Sequence, residues 1–154
     1  MNYTYEKCIV EARICDTTGV VIEEEWMLPN GRTAHRVGGP AAIRRNEQNG
    51  RVTHEEWWQR GKLHREGGPA EVNYDPETGV VVHEEWWQND LLHREEGPAI
   101  VFRDAQTGEI TSSEVWVNGH RKGWTPEQSR KRLEELTGAS IPKLGSSPFV
   151  PGRK

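Results

Sequence analysis

The stretch HEEWWQRGKLHREGGPAEV at residues 54–72 decides the fold, because it returns as HEEWWQNDLLHREEGPAIV at residues 83–101. An earlier copy, EEEWMLPNGRTAHRVGGPAAI, begins at Glu23, and a shortened copy, SSEVWVNGHRKG, begins at Ser112. A motif that recurs at a fixed offset, here 29 residues, indicates a repeat protein whose units pack against one another. The predicted repeats of a domain over 1–123 are about 20–49, 50–78, 79–107 and 108–123.

Two kinds of turn alternate along the repeats. DPETG at 75–79 lies between two copies, whereas Asn30-Gly31 and Arg60-Gly61 lie inside them. Asn-Gly between apolar runs is the strongest short signal for a hairpin, and Asp with Gly is typical of turns. The unit is therefore strand, tight turn, strand, looser turn. This order predicts a mainly β protein, an antiparallel meander of about seven to nine strands that forms an elongated twisted sheet.

The hairpin register follows from the tight turn. A two-residue turn at Arg60-Gly61 pairs Trp57 with His64 and Glu56 with Arg65. The same pairs return in the first copy although its arms are longer, which a hairpin tolerates and a helix does not. We expect the glutamate–arginine pairs to be cross-strand salt bridges that fix the register. The other predicted pairs of this kind are Glu25–Arg36 and Glu85–Arg94.

Strand alternation sorts the side chains of each copy onto two faces. One predicted face carries His54, Glu56, Trp58, Leu63 and Arg65. The other carries Glu55, Trp57, His64 and Glu66, repeated as Glu84, Trp86, His93 and Glu95, with two glutamates opposed in each copy. A hydrophobic content of 33% is too low to bury both faces of a sheet. We therefore expect the row Trp58–Trp87–Trp116 in the core and one tryptophan row partly exposed.

The last segment of the chain has a different pattern and charge. WTPEQSRKRLEELTG predicts a short helix over 124–138, with Thr125 as N-cap and Pro126 at the first helical position, followed by an extended basic tail over 139–154. Residues 1–120 hold 12 basic and 21 acidic side chains, whereas 121–154 hold 8 and 3. The body should repel phosphate groups, and we expect the tail to form a second partner contact. The residues predicted for that contact are Arg130, Lys131 and Arg132.

Two features predict a reduced, cytoplasmic protein. The chain has no apolar run near 18 residues and no signal-peptide core at its start. Its two cysteines, Cys8 and Cys15, would point to opposite faces of one strand, so we expect no disulfide between them.

The segments WWQRG (57–61) and HREGGPA (64–70), repeated as WWQN (86–89) and HREEGPA (93–99), resemble the MORN-repeat group of β-hairpin repeats. They are most similar to its bacterial and viral variants, which are described as antitoxin-like. The resemblance spans roughly 20–123 and implies an elongated sheet that serves as a scaffold or binding surface without catalysis. The Gly-x-Tyr-x-Gly start of that group is absent, so its proposed lipid-binding role is not carried over.

The residue pattern argues against an enzyme. All four aspartates lie in predicted turns and all six serines lie after residue 111, so no nucleophile has a base at a known motif spacing. Equivalent histidines of adjacent hairpins would lie two strand spacings apart, roughly 9.6 Å, too far for one zinc ion. We predict no catalysis, cofactor or metal. A metal site or active site built from Glu55, His64 and Glu66 stays open as an alternative.

The leading prediction is a non-enzymatic protein-binding module that acts as an inhibitor or neutraliser. The partner would present a basic surface, as a toxin or a nucleic-acid-handling defence complex does, which makes an antitoxin or a phage anti-defence protein such as an anti-CRISPR the expected class. The acidic body itself should not bind nucleic acid or a membrane. A second alternative is a structural scaffold that self-assembles through its edge strands. The predicted partner-binding residues of the sheet are Glu55, Trp57, His64, Glu66, Glu84, Trp86, His93 and Glu95.

Overall fold

A computed structural model of the protein describes residues 7–31 and 33–123, with Glu127, Gln128, Arg130, Lys131 and Glu134 beyond them. The strands are β1 (Ile9–Ile14), β2 (Val21–Met27), β3 (Ala42–Arg45), β4 (Val52–Glu56), β5 (Trp58–Gln59), β6 (Lys62–Leu63), β7 (Glu71–Tyr74), β8 (Val81–Glu85), β9 (Trp87–Gln88), β10 (Leu91–Leu92), β11 (Ile100–Arg103), β12 (Ile110–Val117) and β13 (His120–Lys122). Nine of them form one antiparallel sheet in the order β1-β2-β3-β4-β7-β8-β11-β12-β13. The predicted meander is confirmed.

The long strands of this main sheet are joined by looser turns with one shared design. In each, the register shifts by one residue just before the turn, as between Asn73 and Tyr74. The carboxylate of Asp75 then accepts hydrogen bonds from the backbone N–H groups of Glu77 and Thr78, at 3.1 and 2.7 Å. Gly79 closes the turn with a φ of 75°, a conformation that L side chains rarely adopt. The predicted Asp and Gly turn chemistry is thus present.

The short hairpins β5-β6 and β9-β10 project from the main sheet in the predicted register. Trp58 pairs with Leu63 and Gln59 with Lys62, so Arg60 and Gly61 form the two-residue turn. Both have positive φ, 50° and 76°, as a type I′ turn requires. Equivalent pairs are Met27–Ala34, Trp87–Leu92 and Trp116–Arg121.

Successive short hairpins are joined to one another in a second layer. The N–H of Gly61 donates to the carbonyl of Ala34 at 2.9 Å, and the N–H of Gly119 donates to that of Leu92 at 2.9 Å. A histidine ring supports each junction, because Nδ1 of His64 accepts the Asn89 N–H at 3.3 Å. The units therefore stack through the hairpins as well as through the sheet.

Small apolar residues form the core where the chain returns from a short hairpin to the main sheet. Ala41, Ala70 and Ala99 each follow a Gly-Pro pair and are buried. Val72 and Val101 are buried two residues farther along. Each Gly-Pro pair lies in a loop and the next long strand begins after it, because proline cannot donate a hydrogen bond to a sheet ladder.

Two predicted sets of cross-strand pairs are wrong. Glu56 pairs with Ala42 and Glu71 of the main sheet, and Arg65 instead stacks on Trp57. Glu55 pairs with Ile43 and Val72, so it does not oppose Glu66 either. The hairpin stops short of Glu56 because the chain changes partners at Trp57, between β4 and β5. The Trp57 carbonyl accepts from the His64 N–H of the hairpin at 2.9 Å, whereas its N–H donates to the Ala70 carbonyl, just before β7 of the main sheet, at 2.7 Å. The corresponding predictions for Glu25–Arg36, Glu85–Arg94 and Glu84–Glu95 fail for the same reason.

The chain after Gly123 is described at five positions. Glu127, Gln128, Arg130, Lys131 and Glu134 are α-helical, and the rest of the predicted helix 124–138 and the tail 139–154 lie outside the described residues. Cys8 and Cys15 do not form a disulfide with each other. No helix in the described part of the chain is long and apolar enough to cross a membrane.

Candidate functional site

The strand register brings six glutamates into one line across the main sheet. Opposed pairs connect Glu11 to Glu25, then Glu56 to Glu71, Glu71 to Glu85, and finally Ile100 to both Glu85 and Glu114. Ala42 joins the first pair to Glu56. We call this line the acidic row, and its members are Glu11, Glu25, Glu56, Glu71, Glu85 and Glu114. Strands lie roughly 4.8 Å apart, so the row is about 34 Å long.

At the centre of the acidic row, Glu71 lies between two carboxylates that have histidine partners, His54 at 2.9 Å from Glu56 and His83 at 3.2 Å from Glu85. Glu71 faces Glu56 on one side and Glu85 on the other, with Cβ atoms of such pairs about 4.5–5.5 Å apart. Its own contact is a long hydrogen bond of 3.4 Å from the Asn73 amide. At the β1 end, Glu11 faces Glu25 and neither forms an ion pair with a described residue.

A row of tryptophans borders these glutamates on the same face. The indole N–H groups of Trp58, Trp87 and Trp116 donate to the carboxylates of Glu56, Glu85 and Glu114, each at 2.8 Å. Residues two apart in a strand share a face, which makes this contact possible in the second, third and fourth repeats, whereas the first has Met27 at that position. We call these three the tethered tryptophans. All three are half-buried, so the predicted burial of this row in the core is only partial.

A second line of polar side chains runs beside the acidic row. His54 contacts Asn73 at 2.7 Å and Glu56 at 2.9 Å, and Asn73 reaches His83 at 3.1 Å. The hydrogen bond to Glu56 raises the pKa of His54, and the same bond lowers the pKa of Glu56. His83 stacks on Phe102 with ring centroids 4.4 Å apart. Positive charge on His54 therefore offsets part of the acidic row.

The opposite face holds the other tryptophan row under arginine side chains. The guanidinium of Arg65 lies 3.7 Å from the centroid of the Trp57 ring and donates to the carbonyl of Pro69 at 3.0 Å. A Cβ added at Gly68 would lie 2.8 Å from that guanidinium, so glycine is required for the arrangement. Equivalent stacks are Arg36 on Trp26 and Arg94 on Trp86. We call Trp26, Trp57 and Trp86 the stacked tryptophans, and their buried indole N–H groups have no partner within the described residues.

The glutamates on this opposite face have partners on the neighbouring strand. Glu55 accepts a hydrogen bond from the Tyr74 hydroxyl at 3.0 Å. Burial is the main cause that raises the pKa of Tyr74 to about 12, and this hydrogen bond is the second. Glu84 forms an ion pair with Arg103 at 3.1 Å. These two predicted site residues are thus engaged within the protein.

The remaining predicted sheet residues are dispersed. The side chains of Glu66 and Glu95 are 89% and 82% exposed in loops, whereas His64 lies between hairpins. Trp86, His93 and Glu95 line one open groove of about 590 Å³ between the second and third repeats. The structure therefore brings together three of the eight predicted residues. Arg130 and Lys131 are described as helical, and Arg132 lies outside the described residues.

The described residues offer no assembled metal centre. No group of three or more His, Cys, Asp or Glu side chains among them is arranged to hold a metal ion. In the alternative cluster of Glu55, His64 and Glu66, the closest approach given by the structure is 4.0 Å, between the His64 ring and Glu66. Glu55 is turned toward Tyr74 instead.

Sequence reasoning missed Glu71 and Glu114 as members of an acidic row. Glu71 lies outside the HEEWW motif and joins the row only through pairing between long strands. Glu114 carried a sequence signal, because it holds in SSEVW the place that Glu56 and Glu85 hold in HEEWW.

Comparison with known proteins gives no match that would assign a family or function to the chain. No family model matches the chain, and no curated protein and no solved structure matches it either.

Proposed function

We propose that the protein is a non-enzymatic binding module whose acidic row docks onto a basic surface of a partner protein. The observation that carries this proposal is the run Glu56–Glu71–Glu85, in which three carboxylates are directly opposed on adjacent strands. Like charges placed opposite one another destabilise a sheet. A basic partner surface converts that repulsion into attraction, so the cost in the free protein becomes affinity in the complex.

The neighbouring tryptophans make the surface more than a charged patch. The tethered tryptophans lie beside the acidic row. Their indole N–H groups hold the carboxylates of Glu56, Glu85 and Glu114 in fixed positions. Half-buried aromatic rings next to charge are typical of residues that contribute most to protein–protein affinity. The partner side chains best suited to this arrangement are arginines, which pair with carboxylates and stack on indole rings.

The spacing of the row favours a partner that handles nucleic acid. Its carboxylates follow strands roughly 4.8 Å apart, and a DNA strand carries one phosphate per about 3.4 Å of helix axis. A basic groove built for a phosphate backbone therefore meets a comparable line of negative charge. This supports the class of inhibitor or neutraliser, of which antitoxins and anti-defence proteins such as anti-CRISPRs are examples.

The proposal is tested by affinity capture from bacterial lysate with two matched variants. Glu56→Gln/Glu71→Gln/Glu85→Gln removes three charges from the acidic row and keeps an acceptor oxygen for Trp58 and Trp87. Glu66→Gln/Glu77→Gln/Glu95→Gln removes three charges from exposed positions elsewhere. We expect a stoichiometric basic partner, identified by mass spectrometry, with the unmodified protein and the second variant only. Equal capture of the partner by the two variants would overturn the proposal. Failure of the unmodified protein and of both variants to capture a partner would overturn it as well.

A further inference from the structure

The two edges of the main sheet differ in how they meet solvent. β13 is three residues long and consists of His120, Arg121 and Lys122, all exposed. Short, charged edge strands resist pairing with other chains. β1 has six residues, and each of them is exposed. β13 pairs only with Val115–Val117 of β12, so the first five residues of β12 are also open on that side within the described sheet. That stretch is mostly polar (ITSSE), whereas β1 carries exposed apolar side chains.

The side chains of β1 are unusual for a solvent-facing edge. Ile9, Val10 and Ile14 are 41%, 43% and 56% exposed. Alternation places Val10 and Ile14 on one face with Ala12, and Glu11 and Arg13 on the other. Glu11 faces Glu25 of β2, and no described residue forms an ion pair with it.

We propose that β1 pairs antiparallel with β1 of a second copy of this chain. In a two-fold symmetric pair one residue must face its own copy, and the centre of β1 offers Glu11, Ala12 or Arg13. A centre at Glu11 or Arg13 places identical charges opposite each other. A centre at Ala12 places Glu11 opposite the Arg13 of the second copy, twice, and Val10 opposite Ile14.

The Ala12-centred pair compensates several features at once. The open N–H and C=O groups of β1 become paired, and the two nine-stranded sheets join into one. Glu11, which has no ion pair with a described residue of its own chain, comes opposite the Arg13 of the second copy, which also contacts Glu23 at 3.2 Å. The apolar side chains on the other face form one cross-strand cluster, which is how the exposed residues of a sheet edge contribute to an isologous interface. This surface is separate from the centre of the acidic row and needs no other partner.

Charge variants test the pairing directly by sedimentation velocity over a range of protein concentrations. We expect the unmodified protein to dimerise as concentration rises. Glu11→Arg creates arginines opposite Arg13, and Arg13→Glu creates glutamates opposite Glu11, so each variant alone should dimerise about tenfold more weakly or less. Mixing the two variants restores both ion pairs, and the mixture should dimerise as the unmodified protein does.

Each outcome decides the matter. Glu11→Arg relieves the repulsion from Glu25, so its free energy of unfolding should not fall, and lost dimerisation cannot be attributed to misfolding. A monomer at every concentration overturns the proposal, as does a dimer that neither variant weakens. Weakening by both variants without recovery in the mixture also overturns it, because it would mean that a different strand or a segment of the same chain covers β1.

Discussion

Trp57 and Trp58 are neighbours in the chain and have opposite environments. Trp57 lies under the Arg65 guanidinium, 3.7 Å from it, and its indole N–H has no partner within the described part of the chain. Trp58 lies on the other face of the strand and donates its N–H to Glu56 at 2.8 Å. Trp86 and Trp87 repeat the same division in the next copy.

The difference shows how one short motif serves two purposes. On one face of the first three repeats, the stacked tryptophan packs under its arginine, and that arginine donates to the proline carbonyl of the Gly-Pro loop. The tethered tryptophan and its glutamate shape the surface of the other face. Because consecutive strand residues point to opposite sides, the letters EEWW supply both sets without any insertion. The stacked side chains and the side chains of the proposed binding surface thus occupy alternate positions of the same strand.

The largest expected effect is the loss of a stacked tryptophan. Trp57→Ala removes a ring that packs under Arg65 and against the core, and we expect the free energy of unfolding to fall by about 3 kcal/mol. Chemical denaturation followed by circular dichroism measures it. Arg65→Ala in the Trp57→Ala background should cost little more, because the two side chains act as one unit. Full additivity would show that the stack contributes nothing.

Substitution by phenylalanine should cost more stability at Trp58 than at Trp57. Trp58→Phe loses the hydrogen bond to Glu56, and we expect a cost of about 1 kcal/mol from that bond. Trp57→Phe loses no hydrogen bond and retains a ring for Arg65, so its cost should be smaller. Thermal unfolding of both variants compares them. A larger loss of stability for Trp57→Phe than for Trp58→Phe would contradict the assignment of the stabilising hydrogen bond to Trp58.

A change in the centre of the acidic row should have the opposite sign. Glu71→Gln removes a charge that faces Glu56 and Glu85, and we expect stability to rise by about 0.5 kcal/mol at low salt and by less at high salt. Glu77→Gln, an exposed change in a turn, serves as the control. Destabilisation by Glu71→Gln would mean that the row is internally compensated and would remove the argument for a binding role.

The smallest expected effect is a pH dependence from His54. Its pKa is raised in the folded protein, chiefly by the hydrogen bond to Glu56, so its contribution to stability is fully present below the unfolded pKa of about 6.5. The contribution is lost as pH rises through the folded pKa. Unfolding of His54→Asn should therefore differ from that of the unmodified protein more at pH 5.5 than at pH 8. In a Glu56→Gln background that difference should shrink, and an unchanged difference would assign it to another group.

The repeat, the meander and the tight turns were predictable from sequence because they depend on local signals. Arg60-Gly61 sets the hairpin register within a few residues, and the structure confirms the Trp58–Leu63 pair. The partner of Glu56 was not predictable in this way. It depends on the change of partners at Trp57, which leaves Glu56 in the main sheet and opposes it to Glu71, 15 positions away.

The candidate site shows the same limit. The prediction of an acidic, tryptophan-bearing face remains, but the residues that form the row are on the opposite face from Glu55 and Glu84. Their alternation was assigned correctly, whereas the charge balance of each face depends on Tyr74 and Arg103, which come from adjacent strands. Long-range pairing therefore decides which glutamates oppose one another and which pair with a tyrosine or an arginine. The predicted contact through Arg130, Lys131 and Arg132 stays a prediction.

The most direct test of the central claim is the position dependence of binding to a defined basic ligand. Fluorescence anisotropy with labelled decalysine compares the unmodified protein with the acidic-row variant Glu56→Gln/Glu71→Gln/Glu85→Gln and the control Glu66→Gln/Glu77→Gln/Glu95→Gln. Both variants lose three charges, so net charge alone predicts equal weakening. An organised acidic row predicts about tenfold weaker binding for the first variant and a much smaller change for the control. Equal weakening in the two variants would contradict the account.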